Sequence, residues 1–304
     1  MTIVYTSINR QKVSKLSANF EERMEAMRKK DDVLEIGVLN LMHDKEDTKR
    51  RFERVLTRED CRVNLTWFYP VMHYQDREVP ENVRRMSQPL DLNRVRELDA
   101  FIVTGAPLEK LDFDDVTYIS ELQELFDCLS TEGIEQLYVC WGAMAAASYF
   151  YGVDKNLLNQ KLFGVYPQVI LENSPLLDGL SDGFLAPHAR YAELSCSQVR
   201  DVPELSVVSV SETGHLFLAE AEKKRQTFLF SHLEYGRDAL DKEYYRELQA
   251  HPEDAPVLAK AANYYDDPVK MTGTRFGWEK AQRHFFENWL KQAEENRLKK
   301  VCTQ

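Results

Sequence analysis

From Val33 onward the chain alternates between short, nearly continuous apolar runs and longer segments with helical spacing, and this alternation leaves few folds open. VLEIGVLNLM (33–42) is rich in branched residues and apolar on both sides, as a strand covered on both faces must be. DKEDTKRRFERVL (44–56) follows, with Phe52, Val55 and Leu56 on one side and charge on the other. CRVNLTWFYP (61–70) is a second strand, stopped by Pro70, and LDAFIVTGAP (98–107) a third, broken by Gly105 and Pro107. Residues 71–97 between them are polar and are expected to form a long surface excursion. DFDDVTYISELQELFDCLSTEG (112–133) has an acidic first turn and Gly133 near its stop, the marks of a helix. EQLYVC (135–140) then runs directly into a helix of small residues, WGAMAAASYFYG (141–152). The expected fold class is α/β: a mostly parallel sheet with helices on both faces.

The second half adds strands at 161–171, 205–210, 214–220 and 225–232, read as antiparallel additions, then a helix at 238–249. Residues 276–300 predict an amphipathic helix with Trp278, Phe285, Phe286 and Trp289 on its apolar side. Residues 1–32 are polar and irregular and are expected to be an N-terminal extension, with 33–304 a single elaborated α/β domain. No internal repeat is visible.

Charge excludes some partners. The formal net charge of −11 argues against nucleic acid, because phosphate contacts need clustered Lys and Arg. An anionic ligand would have to be met by a local positive pocket. No apolar run approaches a membrane span, and MTIVYTSINRQKVSK has no signal-peptide core, so a cytoplasmic protein is expected. Cys61, Cys128, Cys140, Cys196 and Cys302 are scattered and form no CxxC pair, which fits reduced thiols. No HExxH, GxGxxG or GxxxxGK[ST] pattern is present, and no metal is implied.

LYVCWGAMAAA is the stretch richest in chemistry. A tight strand-to-helix turn holds a nucleophile at the sheet's C-terminal edge, where ligands of open α/β sheets bind. The helix N-terminus favours a thiolate at Cys140. The alternative is an inert buried thiol, which is the reading for the other four cysteines. A base is offered by FLFSHLEYG: on extended backbone, His232 and Glu234 point the same way, so the carboxylate can orient the imidazole. His43, His73, His188, His215, His251 and His284 lack such a setting. The backbone N–H of Trp141 and those of Gly105 and Ala106 are candidate oxyanion donors, although GAP by spacing alone is only a turn.

These stretches, with FIVTGAPLEKLDFDDVTY, KLFGVY, FLAPHARYAE, HLEY and the closing NYYDDP and NWL, resemble the homoserine O-acyltransferases over residues 33 to 292. The resemblance implies a fold like the class I glutamine amidotransferases and a homodimer. It implies a ping-pong reaction in which Cys140 takes an acyl group from CoA and His232, oriented by Glu234, deprotonates the acceptor hydroxyl. No permanently bound cofactor is implied; the acyl-CoA is a co-substrate. By the same matching, Arg246 would pair with the acceptor's carboxylate and Lys161 would line its site. A surface ion pair on the 238–249 helix is the alternative for Arg246. Glu109 falls at the position that discriminates donors. It would repel the free carboxylate of a succinyl group, so acetyl-CoA is expected. HDK at 43–45 and HLE depart from the family's usual PKK and HPE. Ala189 stands where homoserine enzymes usually carry Ser, which removes a hydrogen-bond partner from the acceptor pocket and brings L-serine level with L-homoserine as the expected acceptor. A Cys-His-Glu hydrolase of amidotransferase type is the alternative activity.

Overall fold

The computed structural model describes residues 33–57, 61–255 and 258–303; the expected extension at 1–32 lies outside the described residues. The first half contains β1 (Val33–Leu39), α1 (Lys45–Leu56), β2 (Arg62–Tyr69), α2 (Glu81–Met86), β3 (Gln88–Pro89), α3 (Leu92–Val95), β4 (Ala100–Val103), α4 (Ile119–Thr131), β5 (Glu135–Val139) and α5 (Trp141–Tyr151). The second contains β6 (Lys155–Ile170), β7 (Leu185–Leu194), α6 (Cys196–Asp201), β8 (Ser206–Ser211), β9 (Leu216–Ala221), β10 (Gln226–Leu229), α7 (Ala239–Ala250), a small hairpin β11 (Tyr265–Asp267) and β12 (Thr272–Thr274), and α8 (Glu279–Thr303).

Ten strands form one sheet in the order β3-β2-β1-β4-β5-β10-β9-β8-β6-β7. Pairing is parallel from β3 through β10 and antiparallel from β10 to β7. Every residue of β4, β5 and β10 is buried, as expected of strands covered on both faces. The two covers can be told apart on β5, because residues of opposite parity point to opposite faces. Glu135 accepts hydrogen bonds from Gln292 and Asn296 of α8, at 2.9 and 2.6 Å. Tyr138 packs edge-on against Phe126 of α4, with centroids 5.4 Å apart. Helices therefore lie on both faces.

β10 is the strand that matters for function. It enters the sheet beside β5, with Leu229 in register with Val139. Both chains leave the sheet at the same edge, so Cys140 and the segment after Leu229 emerge side by side.

Several expectations need correction. Residues 71–97 are not a bare excursion: α2, β3 and α3 lie within them, and β3 extends the sheet. β6 starts at Lys155, earlier than expected. β7 carries no apolar signal because His188 and Arg190 lie fully buried in it. Arg190 donates to the carbonyls of Phe230 and Leu216, at 2.7 and 2.9 Å, and to Glu193 at 3.0 Å. Trp278 precedes α8, yet it is fully buried with Phe285, Phe286 and Trp289. Among the described residues, no helix is long and apolar enough to cross a membrane.

Candidate active site

Cys140 sits between β5 and α5 with φ +50° and ψ −112°, a left-handed conformation that a residue with a side chain rarely adopts. Two features hold it there. Its N–H donates to Leu229 O at 2.7 Å, tying the elbow to the end of β10. Gly142 then lets α5 close on β4: a Cβ there would meet Thr104 O at 2.7 Å and Val103 O at 2.9 Å. Only glycine permits that approach, and the thiol is thereby presented at the helix N-terminus.

His232 Nδ1 lies 2.8 Å from Glu234 Oε1, and both residues are buried. The premise of an extended backbone does not hold. β10 ends at Leu229, and residues 232–235 form a turn closed by Tyr235 N–H donating to His232 O at 2.9 Å. The carboxylate reaches the imidazole through that turn. Burial alone would push the His232 acid range down, but the charges of Cys140 and of Glu234, whose carboxylate is hydrogen-bonded to the ring, hold it well above the ordinary value. The Tyr235 ring stacks on His232 with centroids 4.4 Å apart. Its hydroxyl donates to Glu243 Oε2 at 2.8 Å, and the Arg51 guanidinium covers its ring at 4.5 Å.

Gly105 completes the junction. A Cβ placed there would lie 3.3 Å from Cys140 Cβ and 3.5 Å from His232 Cε1. The backbone N–H groups of Gly105, Ala106 and Trp141 donate to no described group. Three unengaged amides beside a nucleophile are what an oxyanion hole requires.

Glu109 is half-buried and no solvated loop charge. Burial raises its acid range, with Glu243 adding to the rise and Lys161 and His232 opposing it, so it stands within the field of His232. Lys161 projects from β6 onto α7, 2.7 Å from Glu243 and 2.6 Å from Glu247. The ammonium is thus committed to two carboxylates on one helix face. Ala189 is buried on β7, opposite Phe163 of β6. Neighbouring Pro187 accepts the His232 N–H at 3.0 Å. Arg246 is exposed on α7 and makes no ion pair among the described residues, which removes the surface-pair alternative. It lies close enough to His43 to help lower that ring's acid range.

Sequence reasoning missed Tyr235, Glu243 and Arg51. Glu243 and Glu247, one turn apart on α7, were the available signal for a buried cation partner. Burial pushes the thiols of Cys128 and Cys196 up, as inert cysteines require. The side chain of Cys302 lies outside the described residues. Among the described residues, His251, Glu253 and Asp254 have ligand atoms within 4.8 Å of one another; all are exposed and none belongs to this site.

The geometry gathers a buried cysteine, a buried imidazole held by a carboxylate, and three unengaged backbone amides at one edge of the sheet. Solved structures share the architecture: a glutamine amidotransferase from Thermotoga maritima (TM-score 0.58, 12% identity, 86% of this chain and 97% of that one) and another from Methylobacillus flagellatus (0.53, 14%, 86% and 94%). At such identity the likeness concerns the fold alone. Sequence relatives are nearer. A serine O-acetyltransferase from Lactobacillus acidophilus is 48% identical over 268 residues, covering 87% of this chain and 97% of its own. One from Lacticaseibacillus casei is 47% identical over 264 residues, with coverage of 87% and 97%. A homoserine O-acetyltransferase from Thermotoga petrophila is 36% identical over 259 residues, covering 84% and 83%. The family model described as homoserine O-succinyltransferase matches residues 4–297. The chain therefore belongs to the homoserine O-succinyltransferase family, a family of O-acyltransferases.

Proposed function

We propose that this chain transfers acetyl from acetyl-CoA to the side-chain hydroxyl of L-serine through a thioester on Cys140. The observation that carries the reading is the strained Cys140 elbow, meeting at Gly105 a His232 that Glu234 holds, beside amides with no partner among the described residues.

In the proposed resting state a Cys140 thiolate lies beside a protonated His232, whose acid range the neighbouring charges hold above its ordinary value. The thiolate attacks the thioester carbonyl, and the amides of Gly105, Ala106 and Trp141 receive the oxyanion. As the tetrahedral intermediate collapses, the bond to the CoA sulfur breaks and His232 gives that sulfur its proton. Thioester formation removes the Cys140 charge, which is the foremost influence raising His232, so the ring becomes a base. It then takes the acceptor's hydroxyl proton as the oxygen attacks the acetyl carbonyl. The Cys140 thiolate leaves and the resting ion pair is restored, with no net proton change on the enzyme.

Charge supports acetyl as the cargo. Glu109 already bears a burial penalty on its carboxylate, and the second carboxylate of a succinyl group would add repulsion to it. Serine is supported by the methyl of Ala189 and by the two lactobacillar relatives named for it. The unpaired Arg246 guanidinium is suited to the amino acid's carboxylate. The product, an O-acetyl amino acid, would serve cysteine synthesis. Steady-state comparison of L-serine and L-homoserine with acetyl-CoA and succinyl-CoA tests the reading. Serine with acetyl-CoA is expected to give the highest kcat/KM. A preference for succinyl-CoA contradicts the Glu109 argument, a strong preference for homoserine contradicts the acceptor, and glutamine-dependent ammonia release points to the hydrolase.

A further inference from the structure

Two histidines outside the catalytic pair, His43 and His73, line a cavity of about 420 Å3 at the edge where β1, β2 and β4 end. Lys45 and Arg77 add two cations to its lining, and Pro107, Leu108 and Val116 are among its apolar residues. In a chain of net charge −11, cations normally find carboxylates with ease. Neither Lys45 nor Arg77 makes an ion pair among the described residues. The Lys45 ammonium donates to Asn40 O at 2.6 Å. Arg77 Nε donates to His73 O at 3.2 Å, its guanidinium also bonds the His73 ring, and it covers the Tyr74 ring at 5.1 Å. Both charges are thus held in place by neutral groups and left uncompensated. Asp115, the acidic residue lining the cavity, makes no ion pair with them.

The surrounding groups feel the excess. Burial lowers the acid range of His43, and Arg246 and Lys45 lower it further. His73 is lowered by burial, then by Arg77, Lys45 and His43. A bound anion would relieve this mutual repulsion. Pro107 joins this lining to the reacting centre, being two residues beyond Gly105, which abuts Cys140.

We propose that this cavity binds the phosphate-bearing handle of the CoA thioester, its phosphates against Arg77, Lys45, His43 and His73, and its pantetheine arm along Pro107 and Leu108 toward Cys140. The volume is within the usual range for a ligand pocket and accommodates part of so large a donor. The proposal rests on the acetyltransferase reading above.

The test compares acetyl-CoA with S-acetylpantetheine, which carries the same thioester without phosphates. Wild type is expected to show a KM for S-acetylpantetheine about tenfold or more above that for acetyl-CoA. Arg77→Ala, a change at an exposed side chain, is expected to raise the acetyl-CoA KM about tenfold. It should move the KM values for S-acetylpantetheine and L-serine by less than about twofold, and Arg77→Lys should recover part of the loss. An equal effect of Arg77→Ala on both thioesters, or none on acetyl-CoA, overturns the subsite and leaves the transferase standing. Wild type that transfers acetyl from neither thioester overturns both.

Discussion

Cys140 keeps φ at +50° although it carries a side chain, a conformation that costs about 1–3 kcal/mol, and the contacts that hold it there also serve the thiol. His232 owes its raised acid range to charged Cys140 and Glu234, against burial. A raised folded value means that this group stabilises the fold fully below its ordinary value of 6.5 and loses that contribution as pH rises through the raised one. Cys140→Ala removes the foremost of the raising influences. NMR titration of His232 should therefore show a lower value in that variant than in wild type, and an unchanged value would deny the ion pair. Gly105→Ala tests the junction from the other side: its methyl would press on Cys140 Cβ at 3.3 Å and His232 Cε1 at 3.5 Å. We expect kcat to fall roughly a hundredfold, with the melting temperature little changed. That Cys140, His232 and Glu234 come together was legible in local patterns, an elbow and an H-x-E spacing, although the second acts through a turn and not through extended backbone. Tyr235, which stacks on His232, was not, because its role comes from a turn that no periodicity announces.

At the level of elements, the β5–α5 junction is readable as an apolar run striking small residues, and Gly142 explains why they must be small. Gly142→Ala would drive a methyl against the carbonyls of Thr104 and Val103, which cannot move aside as a flexible side chain would. Urea unfolding should show a loss of about 1–3 kcal/mol. Lys161 links β6 to α7, the helix that carries Arg246. With Lys161→Ala, buried Glu243 loses its ion pair and Glu247 loses its cation. A loss of about 3 kcal/mol is expected, with a raised KM for the amino-acid acceptor as α7 loosens. Wild-type stability with an unchanged acceptor KM would show that the lysine does not position that helix. β7 escaped the sequence reading for a physical reason: buried Arg190 bonds distant carbonyls and His188 the Gln168 side chain, and such partners leave no trace in local hydrophobicity.

Over the whole molecule, strand order does what sequence proximity cannot. β5 and β10 lie far apart in the chain but are neighbours in the sheet, and their register delivers Cys140 and His232 to one edge. The α/β class and the antiparallel additions were legible from the alternation of runs; the insertion of β10 beside β5 was not, because it depends on long-range pairing. The activated thiol should exist only in the folded chain. Iodoacetamide is expected to label Cys140 well before Cys128 in native protein, and at similar rates in urea, as followed by peptide mass mapping. The most direct measurement is intact and peptide mass after brief incubation with acetyl-CoA in the absence of any acceptor. The account predicts an added acetyl group on the peptide containing Cys140, discharged when L-serine is supplied. Acetyl transfer to serine by a protein that never carries that group on Cys140 would contradict it.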